Sequence, residues 1–261
     1  MTSCAQALSG CLPCLEPPPD PKDAEMIARL RLLERRASSI KELRSRTPSP
    51  AKCRSEPKRP STDGIRRSVQ RLVAAFRVGG EDFEPERVRR RMFSGSVKEL
   101  LRPHLPLRTQ LQSWTLLFSS ADDGGLSSLY ARANRASEPT VLLVMDSNRH
   151  VFGAFAAAKW ELQPRLKYFG SAEAFVFTVL PEFRVYKASR ANDHYQLAAR
   201  DSLAIGGGGG FAIWLDSDLE HGVTHESCTF GNPPLGSSED FEIIGVELWG
   251  FTRSTSTSDL V

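Results

Sequence analysis

The sequence predicts an α+β protein that is mainly β: an asymmetric sandwich of two antiparallel sheets with a few short helices. A basic N-terminal region, partly helical and partly disordered, precedes it. Three observations carry this expectation. Short runs of β-branched and aromatic residues recur from Trp114 onward, separated by turn residues. The connections are short, so neighbouring strands pair antiparallel, since parallel pairs need long crossovers. Proline and unpatterned charge crowd the first ninety or so residues instead.

The elements follow in order. Residues 1–21 form a Cys- and Pro-rich leader ending in Glu16-Pro17-Pro18-Pro19-Asp20-Pro21, which no helix or strand accommodates. Residues 22–95 are basic, with helical segments around a disordered linker. Ile27, Leu30, Leu33, Ala37, Ile40 and Leu43 recur at helical spacing, and Arg/Thr/Pro/Ser/Lys composition over 45–63 marks the linker. Ile65, Val69, Leu72 and Phe76 share one face of a second helix. Glu84-Pro85-Glu86 starts a third, running to Phe93. The folded domain is expected over 96–251 and a disordered tail over 252–261.

Within the domain, Ser96 and Glu99 suit a capping box for a helix over Val97–Leu101, ended by His104-Leu105-Pro106. Strands are expected over Trp114–Phe118, Val141–Met145, Val151–Ala157, Ala174–Leu180, Phe183–Lys187, Phe211–Leu215 and Phe241–Phe251. Leu126–Ala133 is expected to be a helix. The uninterrupted apolar run Val141–Met145 indicates a strand buried on both faces. Trp114, Leu143, Phe155, Phe175, Phe177, Trp214 and Trp249 are expected in the core.

Charge divides the chain as composition does. Residues 1–105 hold 22 Lys and Arg against 13 Asp and Glu; residues 106–261 hold 12 against 18. The basic part is suited to anionic surfaces, and the acidic part is a poor nucleic-acid binder, so no specific nucleic acid is expected. Five cysteines, three of them crowded at the N-terminus, do not make a disulfide scaffold. No secretory signal or membrane-length apolar run is seen. A cytoplasmic location follows as an expectation, peripheral at membranes, with nucleus and mitochondrion left open.

Several patterns are candidate sites. Gly206–Gly210 lacks the Lys and following helix of a phosphate loop, and glycines permitting a close backbone crossing are the better reading. Glu173, Asp201, Asp216, Asp218, His221 and His225 do not fall at metal-ligand spacing, so no metal and no cofactor are expected. Cys228 is the candidate redox thiol, the basis of an alternative thiol-based function. Cys4, Cys11 and Cys14 are candidate acylation sites, with the basic segments as second membrane signal. Thr2 excludes N-myristoylation.

Ordered blocks of sequence then carry a resemblance. Trp114–Ser120, Thr140–Val144, His150–Phe155, Tyr168–Phe177, Asp201–Gly209, Trp214–Asp216, Cys228–Leu235 and Glu247–Phe251 resemble the TLDc domain, in family order over about 155 residues. The chain is similar to a short, TLDc-only member such as the short oxidation resistance proteins. It departs in having Gly170-Ser171-Ala172-Glu173 where Gly-Thr-Gly-Glu is usual, and in Phe211 directly following Gly210. The resemblance implies the sandwich fold, oxidative-stress protection, and binding to V1 subunits of the vacuolar proton-pumping ATPase. It implies no catalytic mechanism, so no enzyme and no small-molecule substrate are expected. Because loops carry binding, Glu173, Asp216, Asp218, His221 and Asn232 are the expected partner contacts.

Overall fold

The computed structural model describes residues 95–135, 139–162 and 166–252, all within the larger of two compact units, Arg44–Val261. The leader with Cys4, Cys11 and Cys14, the helices expected over 22–45, 65–76 and 84–93, and residues 253–261 lie outside the described residues.

The described chain opens with helix α1 (Gly95–Leu101), a 3-10 turn (Arg102–His104) and α2 (Leu107–Gln110). Strand β1 (Ser113–Ser119) leads into α3 (Ser120–Asp123) and α4 (Leu126–Ala133). Four strands follow: β2 (Thr140–Asp146), β3 (Val151–Ala156), β4 (Phe175–Leu180) and β5 (Arg184–Lys187). Then come β6 (Gln196–Ala198), β7 (Ser202–Ile205), β8 (Ile213–Asp216), β9 (His221–Val223) and the long β10 (Asp240–Thr252).

Among the described residues every strand pair is antiparallel. Sheet one has the order β1-β10-β2-β3-β4-β5, and sheet two β10-β9-β8-β7-β6. Strand β10 serves both. Asp240–Glu242 pairs with β9, and the stretch from Ile243 pairs with β2. A register shift between Ile243 and Gly245 marks the change of sheet, as bulges do at sandwich corners.

Among the described residues two apolar cores result. One lies between the sheets, where Leu142, Val144, Phe152 and Ala154 meet Leu203, Ile205, Ile213 and Leu215; α4 adds Leu126, Leu129 and Tyr130. The other lies on the outer face of sheet one, where Val97, Leu100 and Leu101 of α1 join Val141, Leu143, Phe155, Phe175, Phe177 and Val179. Strand β2 is buried along its whole length because it contributes to both.

Two buried aspartates hold the turns. Asp146 accepts from the His150 and Ser237 amides, each at 2.8 Å. Asp216 Oδ1 accepts from the Glu220 and His221 amides at 3.0 and 3.3 Å.

The glycine run crosses closely under neighbouring chain. A Cβ on Gly207 would sit 2.8 Å from Tyr168 Oη, and one on Gly208 2.7 Å from Asn192 Nδ2. Gly208 also has φ +81°, which side-chain-bearing residues rarely adopt.

Some expectations are corrected. Trp114 and Trp249 are half-buried, not core: β1 is an edge strand, and Trp249 lies under Lys98, whose ammonium is 5.5 Å from the ring centre. Helix α1 already includes Gly95, so Ser96 lies within the helix instead of capping it. Strand β8 starts at Ile213, after Phe211, which is buried outside the strand. Thr252 belongs to β10 and is not tail.

Candidate protein-contact surface

Short helix α2 is tied down by its own polar side chains. Thr109 Oγ1 donates to Pro106 O, and Gln110 Nε2 to Leu105 O, both at 2.8 Å. This leaves Leu107 and Leu111, four residues apart, 83% and 90% exposed. Arg108 points toward the loop before β4, where Glu173 stands. Its Nη1 donates to Glu173 Oε1 at 2.8 Å, and a second guanidinium N–H donates to Oε2. The hydrogen bonding from Arg108 holds the Glu173 carboxyl below the usual carboxylate range, against a smaller opposing effect of desolvation. An open cleft of about 520 Å³ is lined by Lys98, Arg102, Gln110, Leu111, Gln112 and Trp114. Leu111 thus borders this cleft, and Lys98 and Arg102 add cations to its lining.

The other expected contact residues separate. Asp218 is exposed and His221 half-exposed. Asp216 is 2% exposed and occupied with its turn; its Oδ2 lies 3.7 Å from His221 Nδ1. Asn232 is fully buried: its Nδ2 donates to His225 O and Pro233 O, and its Oδ1 faces Ser227 Oγ at 2.6 Å. Its side chain shapes the loop interior and does not reach a partner. Register also places Glu173 away from the Asp216 turn. Phe175 lines up through Phe155 and Val141 with Trp249, whereas Glu220 O accepts from the Ile243 amide. Six residues of β10 separate those levels, about 20 Å along the strand. The five residues do not form one patch.

His225 Nε2 is 3.7 Å from Glu239, so His221 and His225 face different carboxylates. Among the described residues no three His, Cys, Asp or Glu side chains gather as a metal site. Cys228 is 9% exposed and disulfide-bonded, which removes the thiolate a nucleophile requires. None of the other cysteines is among the described residues.

The sequence reading missed a stacked pair beside the glycine run. The rings of Tyr168 and His194 lie 4.3 Å apart, 20° from parallel. Burial raises the Tyr168 pKa and lowers that of His194, so both favour the neutral form. The Tyr168-Phe169-Gly170 block held one half of the signal; His194 has no sequence neighbour that marks it.

These features define a sheet-rich scaffold with an exposed short helix and anchored loops. The chain belongs to the TLDc family, whose domain model matches residues 88–252. It is 41% identical over 180 residues to oxidation resistance protein 1 of Rattus norvegicus, covering 65% of this chain and 21% of that protein. Against oxidation resistance protein 1 of Homo sapiens it is 42% identical over 155 residues, 59% of this chain and 18% of the relative. Against nuclear receptor coactivator 7 of Homo sapiens it is 36% identical over 155 residues, 59% and 16%. The chain thus spans about a fifth of the length of the curated relatives it matches.

Proposed function

We propose that this chain is a non-catalytic TLDc binding module that contributes to oxidative-stress protection, and that its partners are V1 subunits of the vacuolar proton-pumping ATPase. The stress role is supported by the name of the relatives, oxidation resistance protein 1. The ATPase partner is what the family resemblance implies. One observation carries the binding reading: Leu107 and Leu111 stand almost fully exposed beside the anchored Arg108–Glu173 pair. Exposed apolar groups rimmed by polar ones are the usual composition of a protein-contact patch. Binding there regulates the pump only if assembled and disassembled V1 differ in affinity for the module. The module works in the cytoplasm, and acylation at Cys4, Cys11 or Cys14 together with the basic N-terminal region holds it peripherally at a membrane.

The test is capture of purified V1 by immobilised full-length chain. Leu107→Asp/Leu111→Asp is expected to abolish capture while its circular dichroism stays native. Undiminished capture by the double variant would remove this face as the contact surface. Capture of no V1 subunit by the wild type would remove the ATPase as partner.

A further inference from the structure

Strand β1 forms one edge of sheet one. It pairs with β10 and, among the described residues, with no other strand. Thr115 and Leu116 are successive positions of β1 and point to opposite faces of the sheet, yet both are exposed. The edge is open on both sides here, and alternate backbone N–H and C=O groups face away from β10. Edge strands are ordinarily guarded by charge, proline or shortness. The opposite edge, β5, follows that rule: it is four residues long and carries Arg184 and Lys187. Strand β1 does not. Ser113-Trp114-Thr115-Leu116-Leu117-Phe118-Ser119 holds no charge and no proline. A register shift between Leu116 and Phe118 confines its regular pairing to Ser113–Leu116. Leu116 is 44% exposed, and three of the four large apolar residues exposed among the described ones, Leu107, Leu111 and Leu116, lie between the start of α2 and β1. Leu116 aligns with Trp249 and Trp114 with Phe251, on the outer face of the sheet. There Ser113 and Trp114 border the open cleft, whose lining holds two cations, Lys98 and Arg102, and no carboxylate. Arg102 is exposed and makes no ion pair among the described residues.

We propose that the free edge of β1 binds an extended, acidic segment of another protein, which adds to sheet one as a further strand. The backbone at Thr115 and Leu116 sets the conformation of what binds. Only an extended chain offers donors and acceptors at strand spacing, whereas the backbone groups of a helix are already paired within it. The side chains set the sequence of what binds. Residues two apart on a strand share a face and stand about 7 Å apart. An apolar residue opposite Leu116 therefore puts the residue two positions on beside Trp114, at the mouth of the cleft. There Arg102 and Lys98 favour a carboxylate and disfavour a second cation. The register shift beyond Leu116 ends the ladder, so the contact is short and depends on these side chains as well as on the backbone. Leu111 lines the same cleft, so the edge adjoins the surface proposed above and rests on that binding reading. An acidic strand from V1 or from any other protein fits it.

Fluorescence anisotropy of a labelled peptide with the full-length chain tests this. The probe alternates valine and glutamate, and it is expected to bind. Two further forms carry methyl groups on the glutamate nitrogens or on the valine nitrogens. One of the two sets faces β1, and the form carrying it should lose about tenfold or more in affinity with every side chain kept. A peptide alternating valine and lysine should bind about tenfold more weakly or not at all. Arg102→Glu, exposed and outside β1, should weaken the glutamate probe and strengthen the lysine one. Hydrogen exchange should slow over Ser113–Ser119 when the probe is added, and not over Arg184–Lys187. Undiminished affinity of both methylated forms would overturn the proposal, because the ladder would then not form. So would absence of probe binding at about millimolar concentration, or protection of β5 in place of β1. Self-association that Leu116→Lys abolishes, read by sedimentation, would name a second copy as the occupant and overturn it too. Probe binding without V1 capture would remove the ATPase and keep the edge site; V1 capture without probe binding would do the reverse.

Discussion

Sheets one and two both bury apolar residues on their outward faces, but they obtain cover differently. Sheet one is met by α1, whose Val97, Leu100 and Leu101 join Phe155, Phe175 and Phe177. Its cover is adjacent in sequence to β1 and belongs to the matched TLDc span. Sheet two presents a smaller row centred on Trp214, with acidic residues beside it. The lesson is that a sandwich has four faces and only the two inner ones are covered by the fold itself. The outer faces depend on what else the chain supplies. The largest expected effect separates the two. Phe155→Ala empties a fully buried site that stacks on Phe175 at 5.2 Å, and should cost about 3–5 kcal/mol in urea unfolding. Trp214→Ala, in the smaller row of sheet two, should cost less in the same measurement. Equal losses in the two would make Trp214 a core residue of the domain proper.

The turns allow the second comparison. Asp146 spans the β2–β3 turn and the loop before β10, accepting one amide from each. Asp146→Ala leaves two amides without that acceptor and should cost about 2–3 kcal/mol. Asp216→Ala, within a single hairpin turn, should cost less. A reversed order, measured by urea unfolding of both, would mean that local turn geometry outweighs the link between distant segments.

Much of this was legible in sequence, for physical reasons that also explain the failures. Val141–Met145 read as doubly buried because both its faces are apolar, and β2 feeds both cores. Leu126–Ala133 read as a helix because Leu126, Leu129 and Tyr130 fall on one side. Strands β6, β7 and β9 went unread: at three or four residues each, they are too short for alternation to rise above composition. The half-burial of Trp114 was illegible because an edge position is a property of topology. For the candidate surface, Glu173 was legible through its family block. Its partner Arg108 was not, since 65 residues separate them. Asn232 read as a loop contact because polarity alone does not show that both ends of an amide face inward.

A third comparison sets the buried Glu247 against the exposed Glu173. Glu247 is 4% exposed on β10, accepting from the Trp249 indole N–H at 2.9 Å. Burial raises its pKa from 4.5 to about 7, which the indole hydrogen bond only partly offsets. Below pH 4.5 the carboxyl is protonated in both states and this site costs nothing. Between 4.5 and about 7 the unfolded chain ionises first, so stability falls as pH rises. Above about 7 the loss is complete, with a ceiling of about 3 kcal/mol. Glu247→Gln keeps an acceptor for Trp249 and removes the ionisation. It should leave the melting temperature unchanged at pH 4 and raise it by several degrees at pH 7.5. A melting temperature difference that does not vary across that window would assign the effect to packing and not to the buried proton.

Glu173 should show the opposite sign and a far smaller size. Its pKa is lowered by Arg108, so its contribution is present above the unfolded value and fades as pH falls through the folded one. Both side chains are about half exposed, so solvent screening leaves the pair worth at most about 1 kcal/mol. Glu173→Gln should therefore barely move urea unfolding at pH 7, yet it weakens the pair that anchors Arg108 between Leu107 and Leu111. If this face binds V1, capture by Glu173→Gln weakens while stability holds. Glu173→Asp, which keeps the charge on a shorter arm, falls between it and the wild type. Loss of stability in step with loss of capture would make the pair a structural strut, and the contact would have to be sought on the leucines alone.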